Sequence, residues 1–156
     1  MYKIRQWSVT HSRKLEAFYY FFEPFFIRLY PLWRAIGRER VEKPFRLLEK
    51  AAKNLMFGCQ MCGQCTLSNT GMACPMNCPK SIRNGPCGGV RLNGNCEVKP
   101  EMRCVWVEAW RGSKNMKRSE NIHQIQLPVN FSYQGSSSWL RVVEQEYTRQ
   151  QGETAE

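Results

Sequence analysis

Eight cysteines between residues 59 and 104 are the residues of this chain best suited to chemistry. They read Cys59-x2-Cys62-x2-Cys65-x8-Cys74-Pro-x2-Cys78-Pro-x7-Cys87-x8-Cys96-x7-Cys104. Three thiolates at two-residue intervals on one tight loop can reach three corners of an iron–sulfur cubane and leave the fourth to a remote cysteine. Zinc sites instead pair one Cys-x2-Cys with a second, distant pair, so a third cysteine at the same interval is superfluous for tetrahedral zinc. The spacing therefore favours a [4Fe–4S] cluster, with zinc as the alternative. All eight cysteines are candidate ligands, and Cys59, Cys62 and Cys65 would hold three irons of one cluster. The partition of Cys74, Cys78, Cys87, Cys96 and Cys104 stays open. Eight ligands fill two four-cysteine sites, one cluster plus a zinc, or one cluster with spare structural thiols.

The segment that must hold these ligands, residues 55–112, is rich in Gly, Pro and Asn, and little regular structure fits it. Such a segment buries too little surface to order itself, so ligand bonds must supply the order. Gly58, Gly63, Gly88 and Gly89 allow turns that aim backbone N–H groups at sulfur. Lys80 and Arg83 follow Cys78 and either raise a cluster's potential by charge or are solvated surface residues. Met56, Met61, Met72 and Met76 are expected to fill gaps around the sites. Trp106 and Trp110 are expected to pack as core. Residues 103–110 read equally as a short strand or a helix turn.

Two flanks surround this module. Residues 1–54 form a basic, aromatic arm, with expected helices from about Ser12 to Phe22, ended or kinked by Pro24, and from about Pro44 to Leu55. Packing onto the module, docking a partner, and anchoring at a membrane surface are its readings, in that order of preference. Residues 113–156 form a linker and C-terminal docking tail. In it Ile122, Ile125, Leu127 and Val129 would pack as an extended segment, followed by a helix over about 138–150. The expected fold class is a small irregular α+β, cluster-stabilised, Cys-rich loop module with an N-terminal helical arm and a C-terminal tail.

Composition excludes several function classes. The chain contains no Asp, which removes Asp-containing triads and Asp-led calcium loops. It has two histidines, His11 and His123, both isolated and both read as surface or packing residues. No catalytic site is evident. The formal charge of +10 counts neutral thiols, and about −2 per four-thiolate cluster would offset part of it. No nucleic-acid recognition motif is present. The N-terminus shows no apolar leader core and no small-residue cleavage site, which points to the cytoplasm and to metal binding rather than disulfides.

The stretch from Gly58-Cys59-Gln60-Met61-Cys62-Gly63-Gln64-Cys65 through Cys74-Pro75-Met76-Asn77-Cys78-Pro79-Lys80 to Asn84-Gly85-Pro86-Cys87-Gly88-Gly89 resembles the methylenetetrahydrofolate reductase C-terminal domain family. Gly94-x-Cys96 and the late Gly135–Leu140 segment, with one extra Ser, are similar to its pattern as well. The resemblance spans roughly residues 54–142 and includes the small V-type subunits of such reductases. It implies a non-catalytic, hetero-oligomeric partner of a flavin-containing TIM-barrel subunit in one-carbon folate metabolism. Such a subunit would carry iron–sulfur or zinc centres and pass electrons between an outside donor or acceptor protein and the flavin.

Overall fold

The computed structural model describes residues 2–153, and five α-helices carry most of them: α1 (Tyr2–Thr10), α2 (Ser12–Ile36), α3 (Arg38–Phe57), α4 (Val105–Ser113) and α5 (Ser138–Glu153). Single 3-10 turns cover Pro75–Asn77, Ser119–His123 and Phe131–Tyr133. Among the described residues the only strand-like pairings are two isolated bridges, Val90 with Cys96 and Asn95 with Arg103. The expectation of an α+β module is therefore overturned: the fold is mainly helical, with an irregular cysteine-rich loop and no sheet. The reason lies in the segment that read equally as strand or helix. From Val105 it is α4, because Trp106, Ala109 and Ser113 recur at helical spacing and bury one face. Without that strand the Gly- and Pro-rich loop has no partner with which to extend a ladder.

The arm helices run further than expected. Pro24 lies inside α2, which continues to Ile36 through a second proline, Pro31, and Pro44 lies inside α3. A proline removes one backbone hydrogen bond and crowds the carbonyl four residues back. Pro24 and Pro31 are two turns apart and both exposed, so both defects fall on the same side of the helix. The opposite side is held by aromatic contacts to other helices. Phe26 and Trp33 pack on Phe45 of α3, with centroids 6.2 and 4.8 Å apart, and Tyr30 packs on Tyr147 of α5 at 4.9 Å. Ring burial and stacking of this kind offset the local propensity cost.

Two small apolar clusters form the core. Val9, Ala73, Cys104, Trp106 and Ala109 join α1 and α4 to the loop. Phe57, Leu67, Met72 and Met116 join the end of α3 to the loop's first half. Gly71 and Gly112 touch backbone to backbone, and a Cβ on Gly112 would collide with the Gly71 carbonyl. Buried polar side chains close the remaining gaps. Ser12 Oγ donates to the Gly112 carbonyl at 2.8 Å, and Ser8 Oγ donates to the Met56 carbonyl at 2.9 Å. Glu16 accepts the backbone N–H groups of Lys117 and Arg118 at 2.7 and 3.1 Å, which ties α2 to the turn after α4.

Two smaller expectations also fail. Ile122 packs on the Val9–Trp106 cluster, but from a 3-10 turn, and Ile125 and Leu127 are exposed rather than packed. Trp106 is core, but Trp110 is half exposed, with the Lys114 ammonium over its ring and His123 at its edge. The described part of the tail helix, α5, matches its expected start at Ser138 and runs to Glu153.

Candidate metal centre

Helix α3 ends at Phe57, and Gly58 turns the chain into the loop that carries the cysteine triplet. The loop's carbonyls are tied down by distant segments. Gln134 Nε2 donates to the Gln60 carbonyl at 2.8 Å, and the Gly135 N–H donates to the Met61 carbonyl at 2.8 Å. Arg141 Nη1 donates to the Gly63 carbonyl at 2.9 Å, and Arg83 Nη2 donates to the Gln64 carbonyl at 2.9 Å. Gly63 has φ +70°, and a Cβ there would collide with the Tyr133 carbonyl and Ser136 Oγ, so this position has room for glycine alone. Four loop carbonyls are thus used up, three by the C-terminal segment and one by Arg83. On the inner side the Met61 N–H donates to Cys59 Sγ at 3.3 Å.

Four cysteines share the space enclosed by this loop. Cys59, Cys62, Cys65 and Cys74 line one cavity, together with Met61, Met76 and Arg83. Cys74 arrives from the far end of the next loop and precedes the Pro75–Asn77 turn. Burial pushes the Cys74 thiol up to about 12, and Cys59, Cys65 and Cys62 add to the rise. Burial raises Cys59 too, with Cys65 and Cys62 adding and the Met61 N–H opposing. The mutual repulsion of these thiols is the electrostatic sign of convergence, and bound cations would reverse it.

The other four cysteines do not line this cavity. Cys78 follows the 3-10 turn, Cys87 is exposed, Cys96 pairs with Val90 in a bridge, and Cys104 is buried against Val9 and Trp106. All eight are free thiols. Among the described residues no three His, Cys, Asp or Glu side chains form a group that could hold a metal ion. His11 stacks on Trp7, and His123 lies by Trp110 and Glu120, both away from the cavity. Of the two basic residues singled out after Cys78, Arg83 reaches the cavity, whereas Lys80 pairs with Glu97 at the surface.

Beneath the triplet lies a buried polar cluster that sequence reasoning missed. Lys53 Nζ donates to Glu49 Oε1 and to Ser138 Oγ, both at 2.7 Å, and both charged side chains are almost fully buried. Glu49 also accepts Ser137 Oγ at 2.6 Å and the backbone N–H groups of Ser138 and Trp139 at 3.3 and 3.4 Å. A carboxylate from α3 therefore caps the N-terminus of α5, the favourable end of the helix dipole for a negative charge. Burial alone would lower the Lys53 ammonium, but Cys65 and Glu49 outweigh it and hold the group above its ordinary range. Burial alone would raise Glu49, but Lys53 and the two serine hydroxyls outweigh it and hold the carboxyl below its ordinary range. The available signal was a Glu and a Lys four residues apart on a helix, which reads as an ordinary surface pair.

The family model described as methylene-tetrahydrofolate reductase C terminal matches residues 39–132, more than half of the chain. The chain belongs to the methylene-tetrahydrofolate reductase C-terminal family. No curated protein and no solved structure matches it. The matched part holds α3, the Glu49–Lys53 pair, all eight cysteines and α4. It begins before the expected start at residue 54 and stops short of the Gly135–Leu140 segment. Helices α1 and α2 lie outside it, so what this chain shares with the family centres on the cysteine loop and the helix beneath it. No helix among the described residues is long and apolar enough to cross a membrane.

Proposed function

We propose that the chain is a non-catalytic, cluster-bearing accessory subunit of a methylenetetrahydrofolate reductase-type flavoprotein. The carrying observation is the convergence of Cys59, Cys62, Cys65 and Cys74 on one cavity. A cubane spreads its four thiolates over the corners of a cube, so it needs four sulfurs around one space rather than on one point. The local triplet plus one remote cysteine followed by proline suits that demand. Bound there, the cluster would supply one-electron transfer between an outside donor or acceptor and the partner's flavin.

The chain's own residues have separate tasks in this reading. The Arg83, Arg141, Gly135 and Gln134 contacts hold the loop in register, so that its thiols are presented without reorganisation. Met61 and Met76 shield the sulfurs from water, and the Met61 N–H and the Lys53 ammonium favour added negative charge. Gln60 and Cys59 lie toward the exposed edge of the loop, which makes this edge the side to set against the flavoprotein. In this reading the cysteine face, within the family-matched part, is a docking side.

The test is iron, sulfide and zinc content of anaerobically purified protein, with its visible spectrum. About four iron and four sulfide per chain, with brown colour, would support one cluster. About eight of each would require a second site among Cys78, Cys87, Cys96 and Cys104. Zinc without iron would replace the relay with a zinc-stabilised structural subunit.

A further inference from the structure

We infer that the outer side of the α2–α3 hairpin is a docking surface for an anionic lipid membrane, on which the protein lies without crossing it. The inference does not depend on the metal centre. Helix α1 packs on both α2 and α3, helix α4 packs on α2, and helix α5 packs on both α2 and α3. Phe26, Trp33 and Phe45 form the seam between its two helices. What remains points outward. On α2 this is Phe18, Phe21, Phe25 and Leu32, each between 56% and 75% exposed. On α3 it is Leu47, Leu48 and Leu55, between 54% and 69% exposed. Spacings of three, four and seven residues keep the α2 row on one face of its helix.

The choice of occupant rests on the polar residues of this face. The exposed positions of α2 are apolar or basic: Arg13, Lys14, Arg28 and Arg34 are its exposed charges, while Glu16 and Glu23 turn inward. Helix α3 adds exposed Arg40, Lys43 and Lys50 beside its leucines, against one exposed acid, Glu39, near its start. The α2 row thus offers cationic donors and no acceptor side chain. A protein interface of this size needs roughly one hydrogen bond per 100–200 Å², with acceptors on both sides. A second copy would set like charges against each other. A bilayer surface supplies what is lacking, with phosphate oxygens for Lys and Arg and acyl chains for the phenylalanine rings. The α2 row lies outside the family-matched residues, whereas Leu47, Leu48 and Leu55 of α3 lie within them.

The test is co-sedimentation of the full-length protein with sucrose-loaded vesicles of phosphatidylcholine alone or with phosphatidylglycerol, at low and raised salt. The expected result is binding to phosphatidylglycerol vesicles that weakens with salt and is much weaker on phosphatidylcholine. Phe21→Ser with Phe25→Ser should lower the partition coefficient by about a hundredfold, since each ring contributes about tenfold when buried in the interface. Lys14→Glu with Arg28→Glu should lower it on phosphatidylglycerol vesicles alone. Circular dichroism matching wild type shows that the variants still fold, and single Phe21→Ser serves if the double variant does not. Absence of binding to either vesicle, or equal binding by the variants, would overturn the inference. So would a dimer that Phe21→Ser dissociates, which would assign the face to a second copy, or loss of flavoprotein binding in the same variant.

Discussion

Lys53 and Glu49 face each other one turn apart on α3, Nζ to Oε1 2.7 Å, in the space between the cysteine triplet and the first turn of α5. One pair therefore joins three parts of the chain that are far apart in sequence: α3, the Cys59–Cys65 loop and the Ser137–Ser138 start of α5. Its geometry makes it a structural hub and places a positive charge beside the thiols.

Removing one member of this pair should be severe. Glu49→Ala leaves a buried ammonium without its partner and uncaps α5, at a cost of about 3–5 kcal/mol. Thermal unfolding should show a large drop in Tm, and the Glu49→Met, Lys53→Met double variant should recover part of it. A double variant less stable than Glu49→Ala would show that the pair is not coupled as the geometry requires.

The same carboxylate sets a pH dependence. Its folded value lies below the ordinary 4.5, so its stabilising contribution is present above that pH and is lost as pH falls through the lower, folded value. Denaturant midpoints of wild type should fall more steeply than those of Glu49→Gln as the solution is acidified below the ordinary carboxyl range. Parallel curves would show that Glu49 does not carry this linkage.

The cysteine partition is open to direct test. Cys74→Ser should lose the bound metal, whereas Cys87→Ser should retain it, because Cys74 lines the shared cavity and Cys87 is exposed elsewhere. Iron and sulfide analysis of the two variants side by side decides it. Equal metal content would remove Cys74 from the ligand set.

Thiol reactivity of metal-free protein offers an independent check. Burial pushes Cys74 up to about 12, so little thiolate is present near pH 8, and its alkylation should be slow. Cys87 should be labelled first by iodoacetamide, as followed by mass spectrometry of peptides. Early labelling of Cys74 would mean that the cavity opens readily without metal.

Gly63→Ala addresses how the loop is held. The change forces a left-handed backbone onto a residue with a Cβ and drives that Cβ into the Tyr133 carbonyl. The backbone term alone is about 1–3 kcal/mol. The expected outcome is reduced metal loading together with a lower Tm, while Gly85→Ala, which bears the same left-handed strain at φ +73° but has open space around it, keeps its loading and so separates the Cβ collision from the backbone term.

Local patterns in this chain were readable without coordinates. The two-residue spacing of Cys59, Cys62 and Cys65 places three thiols on one loop, because neighbours so close in sequence cannot be far apart in space. The start of α5 at Ser138 was legible from its local pattern as well. The family, too, was carried by a contiguous run of residues. What depended on distant partners was not legible. Pro24 reads as a helix end until Phe26, Trp33 and Phe45 are seen to clamp the helix beyond it. Residues 103–110 stay ambiguous until Val9 and Ala73 supply the surface that selects a helix. Cys74 could not be told from Cys78, Cys87, Cys96 or Cys104 by spacing, since closing the loop back to the triplet depends on contacts such as Arg83 to Gln64 and Asn77 to Phe57. The sequence determined which thiols exist and which three lie together on one loop. The tertiary structure decided which fourth thiol joins them and which buried charges stand behind them, because those depend on packing between segments that only the folded chain brings into contact.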